Sequence, residues 1–137
     1  MNRVAIIRSS ACILLFWLGI ATGLSAQTVS DSPQRTEQKR TALTGAPDME
    51  VIASLAEYKP GDSVDLHFHH GVEAVYVIQG AMVQVPGKAP ITFQTGATLM
   101  NLRDVKHAGF KVIGDTSLKL FTVHVVDKGK PLYDYVK

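Results

Sequence analysis

The stretch GDSVDLHFHHGVEAVYVIQG, Gly61 to Gly80, decides how the rest of the chain is read. Val64 to His69 alternates with the period of a strand, so Val64, Leu66 and Phe68 share one face and Asp65, His67 and His69 the other. Two histidines at i and i+2 then point the same way, roughly 6–7 Å apart at a rise of 3.2–3.4 Å per residue. His70-Gly71-Val72 breaks the run, and the strand Glu73 to Ile78 can return a carboxylate to the same interior point. A third histidine from a distant strand would close the set. Imidazole nitrogen and carboxylate oxygen together suit Fe(II), Mn(II), Ni(II), Co(II) or Zn(II), and such a set leaves positions open for water or substrate.

An ordinary half-buried strand would turn Val64, Leu66 and Phe68 inward. With the histidines inward instead, that apolar face needs cover. The strand Met49 to Ala56, or the same element of a second subunit, can supply it, and on this ground a homodimer is expected.

Outward from this centre the chain reads as short strands parted by turns. Met49 to Ala56 alternates, and Lys59-Pro60-Gly61-Asp62 is a turn. Glu73 to Ile78 and Ala81 to Val85 are expected to pair as a hairpin around Gln79-Gly80. Pro86 to Pro90 turns into Ile91 to Gln94, and Ala97 to Asn101, Val105 to Val112 and Leu118 to Val126 complete the set. No segment shows an amphipathic helical period, so the fold class expected is all-β, a sandwich or barrel.

The quoted stretch resembles the first motif of the cupin family without a departure: Gly61, five residues, His67, one residue, His69, three residues, Glu73, six residues, Gly80. A second cupin motif is partly present. Gly96 opens it and His107 sits at its histidine, while Leu102 and Asp104 stand at the usual proline and glycine and Lys111 at the closing asparagine. Fifteen residues separate Gly80 from Gly96. The resemblance spans roughly Asp48 to Val126. It implies a double-stranded β-helix, a small jelly-roll barrel, and one divalent transition metal (Fe, Mn, Ni or Zn) on His67, His69, Glu73 and His107.

Other ionisable residues are placed by strand parity. His70 lies in the turn with the opposite parity and is expected in solvent. His124 shares a face with Leu118, Leu120 and Thr122, which makes it either a core histidine or a catalytic acid, base or donor reaching the pocket. Asp65 is a candidate to orient a ligand imidazole. Tyr76, opposite in parity to Glu73, is expected in the core or an interface.

The chain has 137 residues, 46% of them apolar, enough for one domain. Arg3 and Arg8, the apolar run Ala11 to Ala21, and Gly23, Ser25 and Ala26 form the pattern of a Sec-type signal peptide over residues 1–26, cut after Ala26. The apolar run is shorter than the ~20 residues a spanning helix needs, so no stable membrane anchor is expected after processing. Arg3 and Arg8 are two of the 14 basic residues, and the remaining 12 balance 12 acidic ones. A neutral mature chain without a basic patch excludes nucleic acid as a partner. Cys12, the one cysteine, falls in the removed segment, which leaves no thiolate ligand. Residues 27–47 are polar and aperiodic and read as a flexible lead. Residues 48–137 form the barrel domain.

Function is expected to follow the metal: a periplasmic or secreted metal-dependent enzyme of dioxygenase, lyase or isomerase type on a small oxygenated substrate. The alternative is a non-catalytic module in which the metal anchors a small ligand for binding or sensing.

Overall fold

The computed structural model describes residues 32–137, and the expected signal peptide and Cys12 lie outside them. Eleven strands and no helix make up the described residues: β1 (Arg35–Ala42), β2 (Met49–Tyr58), β3 (Ser63–Val64), β4 (His67–Phe68), β5 (Gly71–Gln79), β6 (Ala81–Gln84), β7 (Ile91–Phe93), β8 (Thr98–Asn101), β9 (Phe110–Ile113), β10 (Leu118–Asp127) and β11 (Asp134–Tyr135). They pair antiparallel into a five-stranded sheet ordered β1-β2-β10-β5-β8, a four-stranded sheet ordered β3-β9-β6-β7, and the short pair β11-β4. The all-β expectation therefore holds.

Side-chain alternation sorts each long strand. On β2, β5 and β10 the even-spaced inner positions are buried and the outer ones are not. Tyr58, Val77, Val83, Val112 and Leu118 close one apolar cluster between the two larger sheets. Ile52, Val126, Leu132 and Tyr133 form a second. Along β10 the inward order Leu118, Leu120, Thr122, His124, Val126 runs from the first cluster to the second. The polar inward row that holds His124 and Glu73 thus lies between two apolar plugs.

Four expectations need correction. The polar lead was expected to stay flexible, yet Arg35 to Ala42 is an eight-residue strand on β2. It is an edge strand with almost every side chain exposed, so it needs no apolar period. Main-chain pairing holds it, with Arg35 Nη1 donating to Ser54 Oγ at 2.7 Å and Arg40 tied to Glu37 and Glu50.

The hairpin expected around Gly80 does not form. β5 pairs with β10 and β8, whereas β6 pairs with β7 and β9. Gly80 is where the chain crosses from one sheet to the other. A Cβ there would stand 2.1 Å from the Phe93 carbonyl oxygen and 2.8 Å from the Thr95 nitrogen, so only glycine passes.

The strand Val64 to His69 is broken in two, and the break removes the problem of its apolar face. Val64 lies at the cavity wall together with His67, three residues on, which one continuous strand would forbid. β3 pairs with β9, while β4 pairs with β11, and Asp65-Leu66 between them resets the parity.

The expected strand Val105 to Val112 is a strand only from Phe110. Its first half is a loop in which Ala108 and Gly109 take positive φ (65° and 73°) and His107 bridges to His67.

Candidate metal centre

β4 and the turn after it place His67 (2% exposed) and His69 (fully buried) inside the barrel. The His67–His107 bridge, closed by His67 N–H to the His107 carbonyl at 3.2 Å and its reciprocal at 2.9 Å, fixes the third imidazole beside them. The three ring centroids form a nearly equilateral triangle, 4.9, 4.5 and 4.7 Å on a side.

Each of these rings is held from behind. His67 Nδ1 donates to the Asp65 carbonyl at 2.7 Å, His69 Nδ1 to the Leu132 carbonyl at 2.5 Å, and His107 Nδ1 to the Val105 carbonyl at 2.9 Å. A carbonyl can only accept, so the proton of each neutral ring sits on Nδ1 and the lone pair is on Nε2. This is the arrangement that orients histidine ligands in metal sites. Asp65 contributes its backbone here; its side chain is exposed.

Glu73 comes in from β5, 5% exposed. Its Oε2 lies 3.3 Å from His69 Nε2 and 3.6 Å from His107 Nε2, and its Oε1 3.2 Å from His124 Nε2. Asn101 Nδ2 donates to Oε2 at 2.6 Å. Burial pushes the Glu73 carboxyl up, but the close imidazoles of His107, His124 and His69 outweigh it and hold the group well below the usual carboxylate range. Burial pushes His67 down to about 4, and it also lowers His124. His107 moves upward: burial opposes its charge, but the hydrogen bonds to Glu73 and the Val105 carbonyl win. An ionised carboxylate beside imidazoles whose charged form burial disfavours, His67 and His124, is the protonation pattern that metal ligation requires.

Two overlapping groups of donor atoms could hold a metal ion: His67, His69 and His107, and His69, Glu73 and His124, each within 4.8 Å. The residues fit such an ion. His69 Nε2 and His107 Nε2 are 3.0 Å apart. Two ligands at about 2.0–2.1 Å from one metal and at right angles to each other are separated by about 3 Å. Both ring nitrogens of His124 are buried without a well-aligned hydrogen-bond partner, and its Nε2 faces Glu73.

The structure brings His67, His69, Glu73 and His107 together as the motif implied. His124 joins them from behind: it is fully buried, register partner to Glu73 across β10 and β5, and does not reach the cavity wall. His70 faces the other way, held by Asp134 (3.2 Å) and Asp104 (3.4 Å) at the surface. Tyr76 is exposed on the outer face of the large sheet.

Four participants were not anticipated. Asn101 ends the expected strand Ala97 to Asn101 and is register partner to Glu73 across β8 and β5. Tyr133 packs on the rings of His67 and His69 at 4.4 and 5.0 Å, and it follows Leu132, whose carbonyl orients His69. Both lie past the last expected strand, where no alternation marks them. Tyr58, inward on β2, is hydrogen-bonded to Tyr133, and burial holds both phenols above their ordinary range.

The site opens into a cavity of about 180 Å³. Glu73, Asn101, His107 and Tyr133 mark its polar end, and the rest of its wall is mainly apolar, with Val75, Phe93, Leu99 and Phe110 prominent.

No protein-family model matches the chain, and no curated protein does. Solved structures do. The polyketide cyclase RemF from Streptomyces resistomycificus superposes with a TM-score of 0.52 at 24% identity, over 77% of this chain and 72% of that one. A conserved protein from Klebsiella pneumoniae, described by its double-stranded β-helix domain, gives 0.50 at 17% identity over 75% and 83%. The fold is the double-stranded β-helix of cupins. The DMSP lyase DddQ from Ruegeria pomeroyi superposes at a TM-score of 0.50 and 16% identity, over 71% of this chain and 49% of the lyase. Gly61 to Gly80 forms β3 to β5 with the turns between them, and Gly96 to Lys111 forms β8, the His107 loop and the start of β9.

Proposed function

We propose that the protein is an exported, metal-dependent cupin enzyme that takes a small substrate with an oxygen-bearing end and an apolar body. One divalent transition metal is held by His67, His69, Glu73 and His107. The observation that carries this is the 3.0 Å approach of His69 Nε2 to His107 Nε2 with both Nδ1 atoms committed to backbone carbonyls. Two lone pairs so close repel unless a cation lies between them.

The bound ion would supply Lewis acidity, or redox chemistry if it is iron, at the polar end of the cavity. The chain's own residues do the rest. Asn101 Nδ2 fixes Oε2 of Glu73, and His124 Nε2 stands 3.2 Å from Oε1. The apolar wall excludes water and receives the hydrocarbon part of a substrate, and the cavity, below the ~300 Å³ of ordinary ligand pockets, restricts its size. The same barrel carries proteins named as a cyclase and a lyase, so it is compatible with catalysis, while the reaction belongs to the site and not to the fold.

A binding or sensing module is the second reading. Among the described residues, the cavity wall offers no acid or base beyond the ligand set except Tyr58 and Tyr133, both held protonated by burial. Titrating Mn(II), Fe(II), Ni(II) or Zn(II) into chelated protein, then assaying the loaded form on small carboxylates, enols and hydroxy acids, separates the readings. Turnover lost in His69→Ala supports the enzyme, and saturable binding without turnover supports the module. Export is tested by the N-terminus of the processed chain, expected at Gln27.

A further inference from the structure

Of the four inward imidazoles, His124 is the one whose Nδ1 meets no carbonyl. Nδ1 of His67, of His69 and of His107 each donates to the backbone. His124 is fully buried on β10, and neither of its ring nitrogens has an aligned hydrogen-bond partner among the described residues. Whichever nitrogen of the neutral ring carries the proton, at least one is left without a partner. A buried polar atom in that state is costly, and native interiors rarely keep one without a use.

The ring is aimed at ligand atoms. His124 Nε2 stands 3.2 Å from Glu73 Oε1, and Glu73 Oε2 stands 3.3 Å from His69 Nε2. The His69 and His124 rings meet edge to face with centroids 4.7 Å apart. Two ligands about 2.1 Å from one ion are separated by about 3.0 Å at a right angle and about 3.4 Å at the tetrahedral angle. Both spacings fall inside that span.

We propose that the barrel offers one divalent ion two alternative positions, the one on His67, His69, Glu73 and His107 and an inner one on His69, Glu73 and His124. This rests on the reading of the barrel as a metal site and adds a fifth residue to it. The donor atoms of His69, Glu73 and His124 lie within 4.8 Å of one another, as do those of His67, His69 and His107. His69 belongs to both groups. Its Nδ1 is committed to the Leu132 carbonyl, so Nε2 holds the one lone pair of the ring, and one lone pair binds one ion at a time. The two positions exclude each other, and the stoichiometry stays at one ion per subunit. Passing inward exchanges His67 and His107 for His124 and keeps His69 and Glu73. Two imidazoles with a carboxylate are a donor set for Mn(II) or Fe(II). His124 stands behind the cavity wall, so the inner position draws the ion away from a substrate.

Mn(II) added to chelated protein tests this, with the free-ion electron paramagnetic resonance signal reporting what is bound. His67→Ala/His107→Ala removes two rings of the outer set and leaves the inner group whole. It is expected to bind one Mn(II) per subunit, more weakly than wild type, with two imidazole nitrogens in the electron spin-echo modulation of the bound ion. Adding His124→Gln is expected to lower that residual affinity about tenfold or more and to leave one imidazole. Where the alanines disturb the far-ultraviolet spectrum, His67→Gln/His107→Gln takes their place; where His124→Gln does, His124→Phe keeps the volume of the ring. A folded double variant that binds no Mn(II) at millimolar concentration would overturn the inner position. Residual binding indifferent to the loss of His124 would overturn it equally. Wild type is titrated alongside: its failure to bind counts against the barrel as a metal site, whereas failure of the double variant alone counts against the inner position only.

Discussion

His69 Nε2 and His107 Nε2 face each other at 3.0 Å across 38 positions of sequence, each ring pinned from behind by a backbone carbonyl. Burial opposes the charge of His107, but its hydrogen bonds to Glu73 and the Val105 carbonyl raise it above its ordinary value. In the loaded protein we assign the place between the two rings to the metal.

Removing one of the pinned rings should remove the metal. His67→Ala and His69→Ala are each expected to abolish tight binding, because each leaves an incomplete donor set around a buried site. His70→Ala is expected to keep affinity within a few-fold, since its ring is turned to Asp134 and Asp104. Calorimetric titration with Zn(II) or Mn(II) checks this. Equal damage from His70→Ala and His69→Ala would contradict the ring assignment.

Asn101→Ala tests the support of Glu73. It deletes the 2.6 Å hydrogen bond to Oε2 while leaving every proposed ligand in place. Loss of such an outer partner typically costs 10–100-fold in metal affinity, and that range is expected here with the fold intact. An unchanged affinity would show that Glu73 is not held by Asn101 when it binds the metal.

The metal-free protein should be acid-sensitive well above the usual carboxylate range. Folded His67 stays neutral down to about 4, and His124 is lowered as well, whereas an unfolded imidazole protonates near 6.5. Between about 6.5 and 4 these two sites bind more protons in the unfolded chain, so stability falls as pH falls. His107 works the other way: its raised value stabilises the fold below 6.5, and that contribution is lost as pH rises through the folded value. The large displacement is that of His67, and it sets the expected sign, a net loss on acidification. Glu73, depressed from 4.5, adds a further loss as pH falls below that value. Urea midpoints of chelated protein at pH 7 and pH 5 check the sign, and a higher midpoint at pH 5 would contradict it.

Gly80→Ala should fail to fold or lose more than about 3 kcal/mol. The obstacle is the Phe93 carbonyl oxygen at 2.1 Å, a backbone atom that cannot swing aside. A thermal melt within a few degrees of wild type would show that the crossing between sheets is looser than described.

How much of this was legible in the sequence depended on whether local pattern and tertiary role agreed. The first motif carried its information in fixed spacings, so the meeting of His67, His69 and Glu73 could be foreseen, and His107 followed from its partial partner motif. Period-2 logic failed where the backbone departs from a strand, at Asp65-Leu66 and Ala108-Gly109, because parity resets there without any compositional sign. It failed for β1, because an edge strand held by main-chain bonds and ion pairs needs no apolar face. Gly80 was read as a hairpin turn because glycine marks a reversal and a crossing alike; only the sheet partners of β5 and β6 distinguish them. Leu132 and Tyr133 act on the site through a carbonyl and a packed ring, roles that residue type does not announce.

The most direct test is elemental analysis of the untagged chain, purified under anaerobic conditions. The proposed site predicts about one transition metal per subunit, from a single four-ligand set, lost on His69→Ala. Protein that carries no metal and also fails to bind added Fe(II), Mn(II), Ni(II) or Zn(II) would contradict it.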